Sequence, residues 1–405
     1  MHISPDAKYL ALGCDNGELY IHDASSLQMK IVKKDRKNPI SEIKFSPNGQ
    51  YLAVGCVDFL IFIYDVSKNF TLLKKMKGHV SRVTHLDFSE DSQIMQSNST
   101  SYDLLYHSIS SGKQLPGGAS SFRDEKWASW TCVIGWPAQG IWPPCSSGDD
   151  INAVDRDKKS KVLVTADDFG KLKLFRYPCA IEKASFKKFI GHSSHVTCVR
   201  FTHNDAYVIS TGGNDKSIFQ WKFHMDQEAE EEFDRYKDLD EEDNNPDFEN
   251  EVLNFKEDEM EFGDEGSASR PYLGEVKAST PKNFVVSKTA GEAPKESLRL
   301  KYVFGYRAFD TRMNVKYTSE GKIVYHTAAV GVVLDKENEQ SFFTNHDEDM
   351  VCLAIHPNLK IVATGQMAKA GKAKLIDIYV WEIESKKVLA NLKGFHLRAI
   401  RNVSL

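Results

Sequence analysis

A repeat with a period of forty-two residues limits what this chain can fold into more than any other feature. Ser4-Pro5-Asp6, Tyr9-Leu10-Ala11, Gly13-Cys14, Ile21 and Asp23 return, each forty-two positions later, as Ser46-Pro47-Asn48, Tyr51-Leu52-Ala53, Gly55-Cys56, Ile63 and Asp65. A degenerate third copy follows in Val83–Ser89, Ile94–Asn98 and Leu104–Tyr106. A fourth runs through Ile151–Val154, Val162–Ala166 and Lys171–Phe175. The fifth is the best formed: Gly191-His192, Val196–Phe201, Tyr207–Gly212 and Ile218–Trp221. Another blade-like stretch comes late in the chain, in Met350–Pro357, Ile361–Gly365 and Ile376–Glu382.

Within each copy the apolar runs span four to seven residues and are rich in β-branched and aromatic types. Turn clusters such as Asp15-Asn16-Gly17 and Gly212-Gly213-Asn214-Asp215 separate them. Short strands repeating every 40 to 45 residues are the pattern of a β-propeller with one four-stranded blade per repeat. The expected fold class is all-β: tandem, incomplete propellers of WD-repeat blades separated by a disordered acidic linker. In the fifth copy His192, Ser210, Asp215 and Trp221 stand where WD-repeat blades carry a hydrogen-bonded tetrad. Its role is structural, because a buried imidazole and carboxylate each cost several kcal/mol unless they satisfy one another. Elsewhere the pattern erodes: Tyr64 and His107 replace the tryptophan and Asn38-Pro39 replaces Gly-His, while Gly78-His79 survives.

Charge is unevenly spread. Residues 225–270 hold 20 Asp+Glu against 4 Lys+Arg, a local charge of −16, which leaves +11 on the remainder of a chain whose net charge is −5. A basic body suits an acidic partner, and without a dense Lys/Arg patch an acidic protein surface fits better than a nucleic acid. From 225 to about 297 the acidic run passes into Ser/Thr/Lys/Pro-rich sequence, whose low apolar content reads as a disordered linker. Asp238, Asp240, Glu242 and Glu249 mimic positions of a calcium loop. Asp243 stands where glycine is needed and Pro246 at the ninth position, so no EF-hand is assigned. The expected division is 1–224, about five blades; 225–297, linker; and 298–405, two to three further blades.

No run of 18 apolar residues or signal-like N-terminus occurs. Seven cysteines without a CxxC pair fit a reducing compartment. Phosphate-loop, GxSxG, HExxH and zinc patterns are all missing, so no catalytic site, cofactor or metal is assigned.

Two segments go beyond generic blades. Trp127–Trp136, with Gly140-Ile141-Trp142-Pro143, places four of the six tryptophans within 16 residues. Tyr302–Arg312, followed by Ile323–Gly331, resembles the HELP motif, the hydrophobic motif of echinoderm microtubule-associated protein-like proteins. The tryptophan-rich segment resembles one late in the same family's repeat region. With Ala166–Gly170, Tyr177-Pro178-Cys179 and His192–Thr197, the resemblance covers nearly everything outside the linker. In that family the HELP motif opens a module of two fused propellers. Here it comes last, so the chain resembles the end of one module joined to the start of another, beginning and ending in mid-blade with its propellers unclosed. The resemblance implies binding to tubulin and microtubules in the cytoplasmic cytoskeleton and modified assembly dynamics, without nucleic acid or membrane. The alternative is a general scaffold or adaptor holding other proteins on its propeller faces, as in a signalling or ubiquitin-ligase complex.

The resemblance makes Phe304, Gly305, Tyr306, Arg307, Phe309, Asp310 and Arg312 the candidate site. The same residues also read as a strand with core aromatics and an internal ion pair of Asp310 with Arg307 or Arg312. The tryptophans read as inter-blade packing or as a recognition surface. Soluble tubulin is the expected partner ahead of the polymer lattice. The acidic segment is expected to compete with tubulin's acidic tails, so that deleting 225–270 tightens binding.

Overall fold

The computed structural model describes residues 1–142, 151–225, 272–287, 289–312, 314–368 and 376–405. These form seven antiparallel sheets, six four-stranded and one three-stranded, stacked as propeller blades. Blade 1 comprises His2–Ile3, Tyr9–Gly13, Leu19–Asp23 and Met29–Lys33, and blade 2 Ile40–Phe45, Tyr51–Cys56, Ile61–Asp65 and Thr71–Met76. Blade 3 has three strands, Val83–Phe88, Ile94–Ser99 and Leu104–Ser108. Blade 4 runs from Ile151–Arg156 to Lys187–Phe189, blade 5 from Val196–Phe201 to Glu296–Phe304, blade 6 from Val315–Tyr317 to Gln340–Phe343, and blade 7 from Met350–Ile355 to Val388–His396. Among the described residues no helix is long and apolar enough to cross a membrane.

The repeated Ser-Pro-Asp/Asn has a local cause. Its hydroxyl closes the turn between the first two strands of a blade by donating to a side chain two residues on and accepting from a backbone N–H five residues on. Ser4 Oγ donates to Asp6 (2.7 Å) and accepts from Tyr9 N–H (2.9 Å). Ser46 does so with Asn48 and Tyr51, Ser89 with Asp91 and Ile94, and Thr202 with Asn204 and Tyr207. The second strands of blades 2, 3, 4 and 7 are covered on both faces, which is why Leu52, Ala53 and Val54 read as a continuous apolar run and are each fully buried. Continuous clusters join neighbouring blades; Ile43, Leu52 and Phe62 pack with Ala11 and Ile21, and Val303, Val330 and Val332 with Val199 and Phe219.

Equivalent positions on the first strands of blades 1 to 5 carry His2, Lys44, Asp87, Asp155 and Arg200, as their pairing to the second strands shows. Lys44 Nζ lies 3.1 Å from Asp87, and Arg200 feels the charges of Asp155, Glu42 and Asp87. These inner strands therefore share one electrostatic neighbourhood.

The division at residue 298 requires correction. Glu296–Phe304 is a single strand, the outermost of blade 5, pairing with Ile218–Met225 from Ile218↔Phe304 to Met225↔Glu296. Sequence on both sides of the acidic segment thus completes one sheet. An insertion before an outermost strand breaks no ladder, because that strand needs a hydrogen-bonded neighbour on one side only. The linker expectation also fails for its last part: helix Tyr272–Ala278 packs on the third strand of blade 3, and Gly291 O and Ala293 O accept from Ser185 N–H and Arg176 Nε beside blade 4. The acidic run from 226 to 271, with the calcium-loop mimic Asp238, Asp240, Glu242 and Glu249, lies outside the described residues.

Candidate functional site

The tetrad side chains come together. His192 Nδ1 lies 2.8 Å from Asp215 and Nε2 2.8 Å from Ser210 Oγ, which also accepts from Trp221 Nε1 at 2.9 Å. All four are buried, so the set joins the loop entering blade 5 to its second and third strands. A reduced version in blade 3 links His79 to Asp103 (2.9 Å) and Ser97 (2.7 Å). Blade 7 has another that the sequence reading missed: His346 contacts Thr364 (2.8 Å) and Gln366 (2.6 Å), and Trp381 donates to Thr364 (3.2 Å). The signal was present, because each histidine precedes its hydroxyl partner by 18 residues. In blade 2, Arg36 rather than Asn38-Pro39 holds the histidine position, four residues before the first paired residue, Ile40. Its guanidinium lies over Phe62 and donates to Tyr64.

The tryptophan-rich segment is packing. Trp127 and Trp130 are buried in one cluster with Tyr106, Ile134, Val154 and Phe175, which lie on blades 3 and 4 and between them. Asp87 of blade 3 accepts from the backbone N–H groups of Thr131 (2.7 Å) and Cys132 (3.0 Å) and so fixes this wedge.

The HELP segment is arranged differently from a strand with core aromatics. Phe304 faces Ile218 across the outer pair of blade 5, and both are about half exposed. Gly305 turns the chain at φ +144°, where a side chain is strained and a Cβ would press on Ser217 and Thr327. Tyr306 and Phe309 are exposed at 49% and 57%, whereas Arg307 between them is 5% exposed. The Arg307 guanidinium binds Asp310 through Nε (2.8 Å) and Nη2 (2.7 Å), and Asp349 of the loop entering blade 7 through Nη1 (2.5 Å). Ser193, beside the tetrad histidine, donates to the same Asp349. Burial opposes the charge on Arg307, but the two carboxylates raise its pKa, and its hydrogen bonds in turn hold the Asp310 carboxyl below the usual range. The loop is closed from beneath, where Thr311 and Asn314 donate to Arg307 O.

Of the candidate residues, Arg307 and Asp310 therefore form the internal pair and Arg312 stays exposed. Phe304, Tyr306 and Phe309 project from this base, with Lys216 Nζ 4.2 Å above the Phe309 ring. Lys216 and Ile218 were not legible as site residues, since they come from blade 5 and only strand pairing brings them here. Aromatics beside exposed cations form a surface suited to an acidic, partly apolar protein partner.

Two family models match the chain. One, described as the echinoderm microtubule-associated protein second β-propeller, covers residues 1–223, and the other, the HELP motif, covers residues 293–332. Echinoderm microtubule-associated protein-like 4 of Xenopus laevis is 40% identical over 221 residues, 54% of this chain and 24% of that protein. Its Homo sapiens counterpart is 42% identical over 221 residues, 54% of this chain and 22% of its own length. The match thus spans about a quarter of these relatives. The β-propeller domain of Myceliophteria thermophila Cps50 (Swd1) aligns over 97% of this chain and 96% of its own, at a TM-score of 0.41 and 10% identity, too distant a likeness to carry weight. With more than half its length matched by the first model, the chain belongs to the family of echinoderm microtubule-associated protein second β-propellers.

Proposed function

We propose that this chain is a microtubule-associated WD-repeat module that binds tubulin through the aromatic and cationic surface of its HELP segment, and that it acts in the cytoplasmic microtubule cytoskeleton. The observation that carries this reading is the half-exposed trio Phe304, Tyr306 and Phe309 on a base fixed by buried Arg307. Core aromatics would be covered, and these three are not. Lys216 and Arg312 add positive charge at the same place, and the body outside residues 225–270 carries +11. Tubulin's exposed tails are acidic, so charge and apolar contact act together. Family membership and the microtubule-associated relatives support the same partner.

Co-sedimentation with soluble and with polymerised tubulin across a salt series tests it. Binding is expected at low salt and should weaken as added ions screen exposed charges. Absence of binding at low salt by a chain that melts cooperatively would overturn the reading and favour a scaffold for other proteins.

A further inference from the structure

The segment that returns the chain to blade 5 is bound like a peptide ligand. It lies across the outer edges of blades 3 and 4, and residues 272–292 fall between the ranges that the two family models match. Three anchors, eight residues apart, hold it. Val276 is 2% exposed within the cluster of Tyr106, Ala119 and Ile134. Phe284 sets its ring 5.0 Å from Trp136, and Glu292 meets Arg176 at 3.3 Å. Backbone ties lie between them: Lys282 N–H donates to Asp124 (2.9 Å), and Ser185 N–H donates to Gly291 O (3.0 Å). Arg176 Nε adds a bond to Ala293 O at 3.1 Å.

The receiving side chains, Tyr106, Asp124, Trp136 and Arg176, all belong to the part matched by the propeller model, while the anchors lie outside it. We propose that the edge of blades 3 and 4 is a peptide-docking groove and that the segment carrying Val276, Phe284 and Glu292 is its ligand in cis. The peptide chemistry it takes is an apolar residue on a helical turn, an aromatic and a carboxylate, at successive spacings of eight. Tethering gives the cis ligand an effective concentration in about the millimolar range, so a free peptide competes poorly while the strap is seated.

The test is fluorescence anisotropy with a labelled synthetic peptide of residues 272–295. The full chain should bind it at least tenfold more weakly than a strap-displaced variant carrying Val276→Asp, Phe284→Ser and Glu292→Ala. In that variant Arg176→Glu should cut binding at least fivefold, and a peptide with Glu292→Lys should restore it. Equal affinity of the full chain and the variant, or no charge-swap rescue, would overturn the proposal. Hydrogen exchange on the unsubstituted chain covers a variant that does not fold. The amides of Lys282 and Ser185 should exchange by local opening, well ahead of those in Val162–Asp167. Exchange of both sets only with global unfolding would make the strap an integral part of the fold and sink the idea.

Discussion

Asp87 joins three parts of the chain through one buried carboxylate. It lies 3.1 Å from Lys44 of blade 2 and accepts from Ser129 Oγ (2.5 Å) and from the backbone of Thr131 and Cys132. Burial pushes its pKa up, but Lys44 and these hydrogen bonds hold it below the ordinary carboxylate value. Asp87→Ala leaves Lys44 charged, buried and unpaired, so a loss of about 3–5 kcal/mol in urea unfolding is expected. A loss below about 1 kcal/mol would show that the wedge is held elsewhere. The buried histidines govern behaviour in acid. Burial lowers His85, His107, His326 and His346 to about 4 from the ordinary imidazole value of about 6.5. The unfolded chain then binds more protons than the folded one between pH 6.5 and 4. Stability is full above 6.5 and falls as pH drops through that window, by roughly 1 kcal/mol per histidine per pH unit. Melts at stepped pH check this, and a flat melting temperature from pH 7 to 5 would contradict it.

Blade 5 is the element whose integrity depends most on distant sequence. A chain ending at residue 225 keeps Val196–Phe201, Tyr207–Gly212 and Ile218–Met225 but loses Glu296–Phe304, which leaves a long bare strand edge. Such a chain should melt lower and self-associate more on size exclusion than one that keeps Glu296–Phe304 and ends after residue 345. Equal melts would mean that residues 1–224 are an autonomous unit. This strand also marks where sequence reading stops. The Ser-Pro-Asp turns and the His192 tetrad were legible because each is closed by residues at fixed short spacing. The pairing of Ile218 with Phe304 was not, since the two are far apart in sequence and no local pattern sets that register. Alternation in Phe304-Gly305-Tyr306 showed that a face exists, but not that an outer strand leaves that face uncovered. The tetrad of blade 7 was readable from the 18-residue spacing, whereas the equivalence of Arg36 to histidine required the observed strand register.

At the scale of the whole molecule, a stacked-blade body of positive charge presents an aromatic surface where blades 5, 6 and 7 meet around Arg307. Arg307→Ala should lower both the melting temperature and tubulin binding, because it strands Asp310 and Asp349 and frees the loop. That variant cannot separate fold from recognition, but the exposed aromatics can. The most direct measurement is the affinity for soluble tubulin of the Phe304→Ser/Phe309→Ser double variant, taken beside its thermal melt. The account predicts an affinity at least tenfold weaker than that of the unsubstituted chain, with a melting temperature within a few degrees of it. Unchanged tubulin affinity in a variant that melts normally would contradict the assignment of this surface.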